Sequence, residues 1–303
     1  MSTAADPAKK AKVAHGHAAA CLEIADVCKL ILTYCATEAA VRLSDVVLRH
    51  PATRSITDDD ALWASLVLAH FGSRRHFPPA APCPPGSVPC PSATFAPSPA
   101  CVEFCETSVE LALFDALQVL QGDIQTIAAI DERPIDCLVF PTNSSLLNAG
   151  SGASAAVFRR AGPALDAHVA GLQYDGYESA AVITPGFAAG VAHLVHCVGP
   201  SHMRMNANAL LYNTYINAFE QCRRQGAACV AVASISTGNL GFPLHVATML
   251  AMRAFRDFVK THRWTATVAF VCYDNRVATF MRTAKSEVAQ HFNDHCFQVM
   301  AIV

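Results

Sequence analysis

Residues 229–243 read CVAVASISTGNLGFP and decide the fold of the second half of this chain. Residues 229–234 are apolar or small on both faces, as in a strand buried inside a sheet. A glycine-containing turn follows at residues 234–243, and apolar residues then recur at helical spacing over residues 246–262. A buried strand, a glycine turn and a helix in this order are typical of a parallel α/β sheet.

The same alternation continues on both sides of this stretch. Four further runs predict buried strands, at residues 137–140, 180–183, 194–198 and 268–272. Three further patterns predict helices, at residues 155–160, 210–224 and 275–292. The sequence therefore predicts an α/β domain of three layers with a mostly parallel central sheet.

Composition limits the classes of partner. The chain has 303 residues, 52% of them hydrophobic, and a formal net charge of −2. This charge gives no general attraction to nucleic acid or to anionic membranes, so we expect neither as a partner. Glu23, Asp26 and Lys29 interrupt the best early apolar stretch, which disfavours a membrane-spanning helix and a secretory signal.

The 13 cysteines indicate a reducing compartment, because most of them lie in apolar stretches where a thiol acts as a small hydrophobic group. We therefore expect a cytoplasmic or nuclear protein. Cys83, Cys90, Cys101 and Cys105 are the best candidates for metal ligands, but their spacing and Pro-rich setting fit no compact zinc site. We expect no metal and no other cofactor.

The chain divides into four predicted segments. Residues 1–18 form a disordered arm, residues 19–72 a helical module, residues 73–105 a linker and residues 106–303 the α/β domain. The linker is predicted because nine of the 17 prolines lie between residues 77 and 100. Three short helices are predicted in the module, the third one starting at the acidic residues 58–60. The side chains expected to form its core are Leu30, Ile31, Val47 and Trp63.

Two glycine-containing turns lie between a predicted strand and a helix. The first contains Gly150, Ser151, Gly152 and Ala153, and the second contains Ser236, Thr237, Gly238, Asn239 and Leu240. Small residues in such turns let backbone N–H groups point at an anion, and a helix N-terminus adds partial positive charge. Clamping of a diphosphate is one interpretation. The alternative is that the glycines only satisfy tight turns.

The order of the short motifs along the chain resembles that of a known protein family. The chain reads GDI at 122–124, DCLVFPTN at 136–143, GSG at 150–152, RAGP at 160–163, TPG at 184–186, HCVGP at 196–200, ISTGNLGFP at 235–243 and VCYD at 271–274. Over about residues 107–285 this series resembles the macro domain family, whose members bind ADP-ribose. The resemblance implies binding of ADP-ribose or of a mono-ADP-ribosylated protein.

The resemblance also implies roles for single residues. Asp123, with Ile124 beside it, corresponds to the acid that reads adenine, Asn143 to the asparagine at the distal ribose, and Tyr273 to the aromatic residue that stacks on adenine. Asn143 is also the catalytic candidate. Purely structural roles stay open as alternatives: Asp123 could cap a helix, Asn143 could form a turn and Tyr273 could pack in the core. His196 lies in an apolar run, and we interpret it as a buried structural histidine.

Hydrolytic members of the family typically read NAAN, followed by a glycine run that ends in Val-Asp. Here Phe140 replaces the first Asn, Ala153 and Ser154 stand where the Asp is expected, and Leu240 replaces an aromatic residue. None of the last three can act as a general base. A mono-ADP-ribosyl hydrolase with an atypical catalytic site is therefore the alternative function, weakened by the missing acid.

Residues 24–71 have a weaker resemblance to an F-box, a helical motif that docks on the adaptor of a ubiquitin ligase. The Leu-Pro that opens many F-boxes is replaced by Ile24-Ala25. This resemblance implies a third function, a ubiquitin-ligase substrate adaptor whose macro domain recognises the substrate. The alternative is a small helical bundle that packs on the macro domain and binds nothing.

Overall fold

The computed structural model describes residues 25–49, 53–75 and 97–294. These residues belong to two compact units. The first unit contains the described residues up to 109 together with residues 290–294, and the second contains residues 110–289. The predicted arm at 1–18 and most of the predicted linker lie outside the described residues.

The described part of the first unit is mainly helical. Its helices are α1 (Ala25–Tyr34), α2 (Thr37–Arg49), the single turn α3 (Arg54–Thr57) and α4 (Asp60–Phe71). Asp59 caps α4, because its side chain accepts a hydrogen bond of 3.1 Å from the backbone N–H of Leu62. The Lys29 ammonium, 2.6 Å from the same carboxylate, is the largest cause that lowers the pKa of Asp59.

The core of this helical unit differs from the prediction. Of the four side chains expected there, Val47 and Trp63 are fully buried, whereas Leu30 and Ile31 are 58% and 43% exposed. The prediction was therefore wrong for Leu30 and Ile31. The reason is the orientation of α1, which turns Cys28 and Leu32, one helical turn apart, to the inside.

Helix α5 (Pro99–Asp115) begins inside residues 73–105, the stretch that its proline content assigned to a linker. Pro99 occupies the first helical position, where a missing N–H removes no intrahelical hydrogen bond. Phe104 then packs its ring 5.3 Å from the ring of Trp63 and 5.2 Å from that of Phe71. These aromatic contacts tie the start of α5 to the helical unit, so this helix begins within the stretch that proline content assigned to the linker.

The second unit is built on a six-stranded sheet. The strands of this unit are β1 (Gln118–Gln121), β2 (Ala129–Ile130), β3 (Arg133–Pro134), β4 (Cys137–Thr142), β5 (Ala181–Pro185), β6 (His193–Val198), β7 (Cys229–Ala233) and β8 (Thr267–Cys272). In the sheet the order is β1-β8-β7-β4-β6-β5, while β2 and β3 form a separate ribbon. All neighbouring pairs of the sheet are parallel except β5 with β6. The predicted mostly parallel sheet is confirmed.

Helices cover both faces of this sheet. They are α6 (Gly152–Ala161), α7 (Pro163–Leu172), α8 (Ala207–Arg224), α9 (Leu244–His262) and α10 (Asn275–Gln290). On one face Phe140 of β4 packs with Phe158 of α6. On the other face Cys137 of β4 meets Cys222 of α8, with 3.6 Å between the sulfur atoms. Helices on both faces of the sheet give the predicted three layers.

Within the described ranges, no helix is both long enough and apolar enough to cross a membrane. The F-box-like resemblance at residues 24–71 stays a prediction. For the zinc candidates, Cys83 and Cys90 lie outside the described residues, and Cys101 and Cys105 lie one turn apart on α5. Among the residues described, no group of three or more His, Cys, Asp or Glu side chains is placed to hold a metal ion.

Candidate ligand-binding site

The predicted binding residues gather at one edge of the sheet. Asp123 follows β1, Tyr273 follows β8, Ser236 follows β7 and Asn143 follows β4. These four strands are consecutive parallel neighbours, so their carboxyl ends lie at the same edge. Ligands of open α/β sheets bind at this edge.

The first glycine loop leads from β4 into α6. Gly150 and Gly152 have φ angles of +72° and +60°, in the left-handed region that favours glycine. Ser151 occupies the N-cap position of α6 without a side-chain capping hydrogen bond. The first N–H groups of α6, including that of Ala153, therefore remain available to an anion.

The second glycine loop, residues 234–243, is held from inside the protein. Ser236 is 4% exposed, and its hydroxyl donates a hydrogen bond of 2.9 Å to the carbonyl of Pro200. The backbone N–H of Ile235 donates to the Tyr215 hydroxyl at 2.8 Å. We expected Ser236 to contact the ligand. Because its hydroxyl donates to Pro200, the backbone N–H of Ser236 is the donor left for that contact.

The outer part of this loop turns its backbone outward. Gly238 and Asn239 are exposed, and Thr237 and Leu240 are half-buried. The N–H of Gly241 donates to the carbonyl of Gly238 at 2.9 Å, which closes the turn. The backbone N–H groups of residues 237–240 have no acceptor among the described residues. They form a second set of donors for an anion.

Asp123 stands at the start of a tight turn. Its Oδ1 accepts a hydrogen bond of 2.8 Å from the backbone N–H of Gln125. Its Oδ2 has no partner within the described part of the chain. The carboxylate therefore caps the turn with Oδ1 and keeps Oδ2 as a hydrogen-bond acceptor for a ligand. Tyr273 follows the neighbouring strand and is 82% exposed. Its ring is not used by the core and is available for stacking.

Ile124 follows Asp123 and turns its side chain into the core. Its side chain is only 5% exposed and packs in the core beneath α6, so it offers little surface to a ligand. Its carbonyl accepts a hydrogen bond of 3.0 Å from Arg160. The same guanidinium donates to the carbonyls of Ile127 at 2.8 Å and Ala189 at 2.7 Å. Arg160, whose pKa is lowered by burial, thus ties the turn after β1 to α6.

Asn143 is exposed just beyond the end of β4. Its Oδ1 accepts a hydrogen bond of 2.9 Å from the Ser145 hydroxyl, which orients the amide. The amide nitrogen then remains free to donate to a hydroxyl group of a ligand. The backbone carbonyl of Asn143 accepts a hydrogen bond of 3.1 Å from the N–H of Leu146, so Asn143 also forms a turn.

The positions that depart from hydrolytic macro domains carry no acid or base. Phe140 is fully buried, and Ser154 is 4% exposed, with its hydroxyl accepting from the N–H of Ala149 at 3.4 Å. Ala153 is half-buried and packs against the core. Leu240 is half-buried in the second loop. The loops therefore offer donors for an anion but no carboxylate to activate water.

His196 is fully buried in β6, as its apolar setting predicted. Its Nε2 lies 3.0 Å from the Thr184 hydroxyl, and its ring centre lies 4.6 Å from that of Phe140. Burial is the main cause that lowers its pKa to about 3. A neutral imidazole enclosed in this way serves packing rather than proton transfer.

Sequence reasoning missed three residues that support the site: Arg160, Tyr215 and Gly199. Gly199 lies against the side chains of Ser236 and Ile235 in the second glycine loop. Arg160 and Gly199 stand in recognised motifs, RAGP and HCVGP, but the motifs alone do not reveal their contacts. Tyr215 lies in a helix with no motif around it, and its hydroxyl meets Ile235, 20 residues away. Such long-range partners leave no local pattern in the sequence.

Comparison with known proteins agrees with this geometry. The Macro domain family model matches residues 139–251, which include Asn143 and both glycine loops. An O-acetyl-ADP-ribose deacetylase of Escherichia fergusonii is 34% identical over 163 residues, which are 52% of this chain and 88% of that protein. A Macro domain-containing protein of Lactiplantibacillus plantarum is 33% identical over 171 residues, covering 55% and 95% of the two chains.

A solved structure shares the fold. The Oceanobacillus iheyensis macrodomain with ADP has a TM-score of 0.52 and 25% sequence identity to this chain, and the match covers 57% of this chain and 90% of that one. Both relatives are thus matched over most of their length, at more than 30% identity. The sheet, the two loops and these matches together show that the chain belongs to the macro domain family.

Proposed function

We propose that the second unit binds ADP-ribose, free or attached to a protein, at the carboxyl edge of its sheet. The observation that carries this proposal is the pair of glycine loops at the ends of β4 and β7, which are neighbouring strands. Each loop presents backbone N–H groups without an acceptor among the described residues. A diphosphate has two linked anionic groups, and each loop suits one of them.

The residues beside the loops suit adenine. The free Oδ2 of Asp123 can accept a hydrogen bond from the exocyclic amine, and the exposed Tyr273 ring can stack on the base. The relative from Escherichia fergusonii is named for O-acetyl-ADP-ribose, and the Oceanobacillus iheyensis structure is described with ADP. Both names support an adenosine diphosphate derivative as the ligand.

Hydrolysis is the second candidate function, favoured by the deacetylase name of that relative. Asn143 is the residue that we assign to it, because its amide is oriented and exposed. The absence of an acid at Ala153, Ser154 and Leu240 argues for slow turnover. Binding is therefore the primary function, and any hydrolysis is slow.

The cellular setting is part of the proposal. We place the protein in the cytoplasm or nucleus, because cysteines that lie in apolar stretches, such as Cys137, Cys197 and Cys272, fit a reducing environment. An F-box-like adaptor role for the helical unit stays a prediction.

Thermal stabilisation of the full-length protein by a series of nucleotides tests the proposal. ADP-ribose should raise the melting temperature most, ADP less and AMP least, because AMP has one phosphate and cannot engage both loops. Equal stabilisation by AMP and ADP-ribose would show that the loops do not hold a diphosphate. If none of the three nucleotides raises the melting temperature, the proposed function is excluded.

A further inference from the structure

The order of the strands sets the direction in which a bound ADP-ribose runs, provided that the proposed function holds. Asp123 and Tyr273 lie past β1 and β8, on one side of the sheet, and the two loops lie past β7 and β4 in its middle. The next strand in this order is β6, which ends at Val198. The ribose remote from adenine therefore points toward the loop that follows β6.

Two loops meet at this end of the site, and we name them the distal rim: residues 173–180 and 201–206. Arg204 and Glu178 join them through an ion pair, with 2.7 Å between Nε and Oε2. The N–H of His202 donates to the carbonyl of Leu240 at 3.0 Å, which fixes the rim to the second glycine loop.

The rim is also fixed to the two strands beside it. The N–H of Ser179 donates to the carbonyl of Val198, the last residue of β6, at 2.8 Å. The N–H of Gly176 donates to the carbonyl of Ser144, next to Asn143, at 2.9 Å. The distal rim is therefore continuous with the ligand-binding edge rather than a separate surface.

The side chains next to the ion pair are apolar and exposed. Met203 and Met205, on either side of Arg204, are 86% and 99% exposed, and Tyr177, next to Glu178, is 73% exposed. Single exposed apolar side chains are common, but these three are sequence neighbours of the two residues in one ion pair, which concentrates apolar surface at this part of the rim. Methionine side chains are flexible and polarisable, so they adapt to partners of different shape.

We propose that the distal rim binds the polypeptide that carries the ADP-ribosyl group, next to the modified residue. An ADP-ribosyl group is joined to its protein through the ribose remote from adenine, so the polypeptide leaves the site at this rim. Met203, Met205 and Tyr177 contact apolar side chains that flank the modification. The modified polypeptide is consequently bound more tightly than free ADP-ribose.

Calorimetry with the full-length protein tests this proposal. The ligands are free ADP-ribose and two synthetic peptides with one ADP-ribosyl group in a non-hydrolysable linkage, one flanked by Leu and Phe and one flanked by Gly and Ser. The peptide with apolar flanks should bind about tenfold more tightly than free ADP-ribose, because its flanking side chains cover the exposed apolar side chains of the rim. The peptide with polar flanks should bind about as tightly as free ADP-ribose.

The double variant Met203→Gln, Met205→Gln should lose the advantage of the apolar peptide while keeping the affinity for free ADP-ribose. Leu172→Gln, a change of an exposed apolar residue on α7, is the matched control and should alter neither affinity. If the wild-type protein binds ADP-ribose and both peptides equally, the rim proposal is wrong and the proposed function stands. If nothing binds, both are wrong. Self-association lost in the double variant would assign the rim to a second copy and overturn the proposal.

Discussion

Gly199 lies so close to Ser236 that a Cβ atom built on the glycine would come within 2.6 Å of the serine Oγ. The same Cβ would come within 2.7 Å of Cγ2 of Ile235. Real Cβ contacts are not this short, so a larger residue at this position forces the buried side chains of Ser236 and Ile235 to shift. The loop after β6 and the loop after β7 therefore hold each other in place.

The first prediction follows from this contact. Gly199→Ala should displace the second glycine loop, weaken ADP-ribose binding at least about tenfold, and lower the free energy of unfolding by about 1–3 kcal/mol. Gly171→Ala is the control, because a Cβ there meets nothing within 4 Å. Calorimetry and urea denaturation measure the two effects. Unchanged binding by Gly199→Ala would show that the loop does not need this packing.

The second prediction concerns Arg160, which donates to three backbone carbonyls. Arg160→Ala should lower the free energy of unfolding by about 2–3 kcal/mol and weaken ADP-ribose binding, since the turn that carries Asp123 is released. Arg160→Lys should rescue only part of both effects, because an ammonium group lacks the fork of donors.

The neighbouring residue supplies the control for Arg160. Arg159 bonds Gln125 through exposed contacts of 2.9 and 3.1 Å, so Arg159→Ala should change the free energy of unfolding by less than about 0.5 kcal/mol. If the Arg160 and Arg159 variants behave alike, Arg160 does not hold the turn after β1.

The third prediction is a pH dependence that originates at His196. Its pKa is lowered to about 3 by burial, whereas an unfolded histidine titrates near 6.5. Between these values the unfolded chain binds a proton that the folded protein does not. The free energy of unfolding should therefore fall as the pH falls, by about 2 kcal/mol between pH 7 and pH 5.

His196→Gln, which can keep a hydrogen bond to Thr184, should remove this part of the pH dependence. His245→Gln, a change at an exposed histidine, is the control. Urea denaturation at pH 7 and pH 5 measures the difference for each protein. The same loss of stability toward pH 5 in wild-type protein and in His196→Gln would show that His196 can be protonated in the folded state.

The fourth prediction concerns catalysis. Incubation with a mono-ADP-ribosylated protein should release ADP-ribose slowly or not at all, compared with a macro domain that has the Asn and Asp pair. The reason is that Ala153, Ser154 and Leu240 offer no general base. Chromatography of the released ADP-ribose measures the rate. Rapid release that Asn143→Ala abolishes would contradict this account.

Much of the sheet was predictable because its central strands are covered on both faces. Burial on both sides forces continuous apolar runs, and β4, β6 and β7 lie within a residue or two of the predicted runs. Strand β1 was missed because Gln118–Gln121 is short and half-exposed, and because among the strands described it pairs with β8 alone, at the edge of the sheet. Helix α5 was missed because its start lies among prolines.

The candidate site was predictable where it depends on backbone shape. Glycines at positive φ and small residues after a strand mark both loops, as at Gly150 and Gly152. The supporting contacts were not predictable, because they join residues that are distant in the chain. Arg160 and Ile124 are 36 residues apart, and Ser236 and Pro200 are also 36 apart. Only the folded structure brings such partners together.

Calorimetric titration of the full-length protein with ADP-ribose tests the central claim most directly. We predict one site per chain with micromolar affinity, or about −8 kcal/mol, and no binding by Gly238→Glu, whose bulk and charge would enter the path of the diphosphate. A Gly238→Glu variant that binds as well as the wild-type protein, or a wild-type protein that gives no heat at millimolar ADP-ribose, would contradict it.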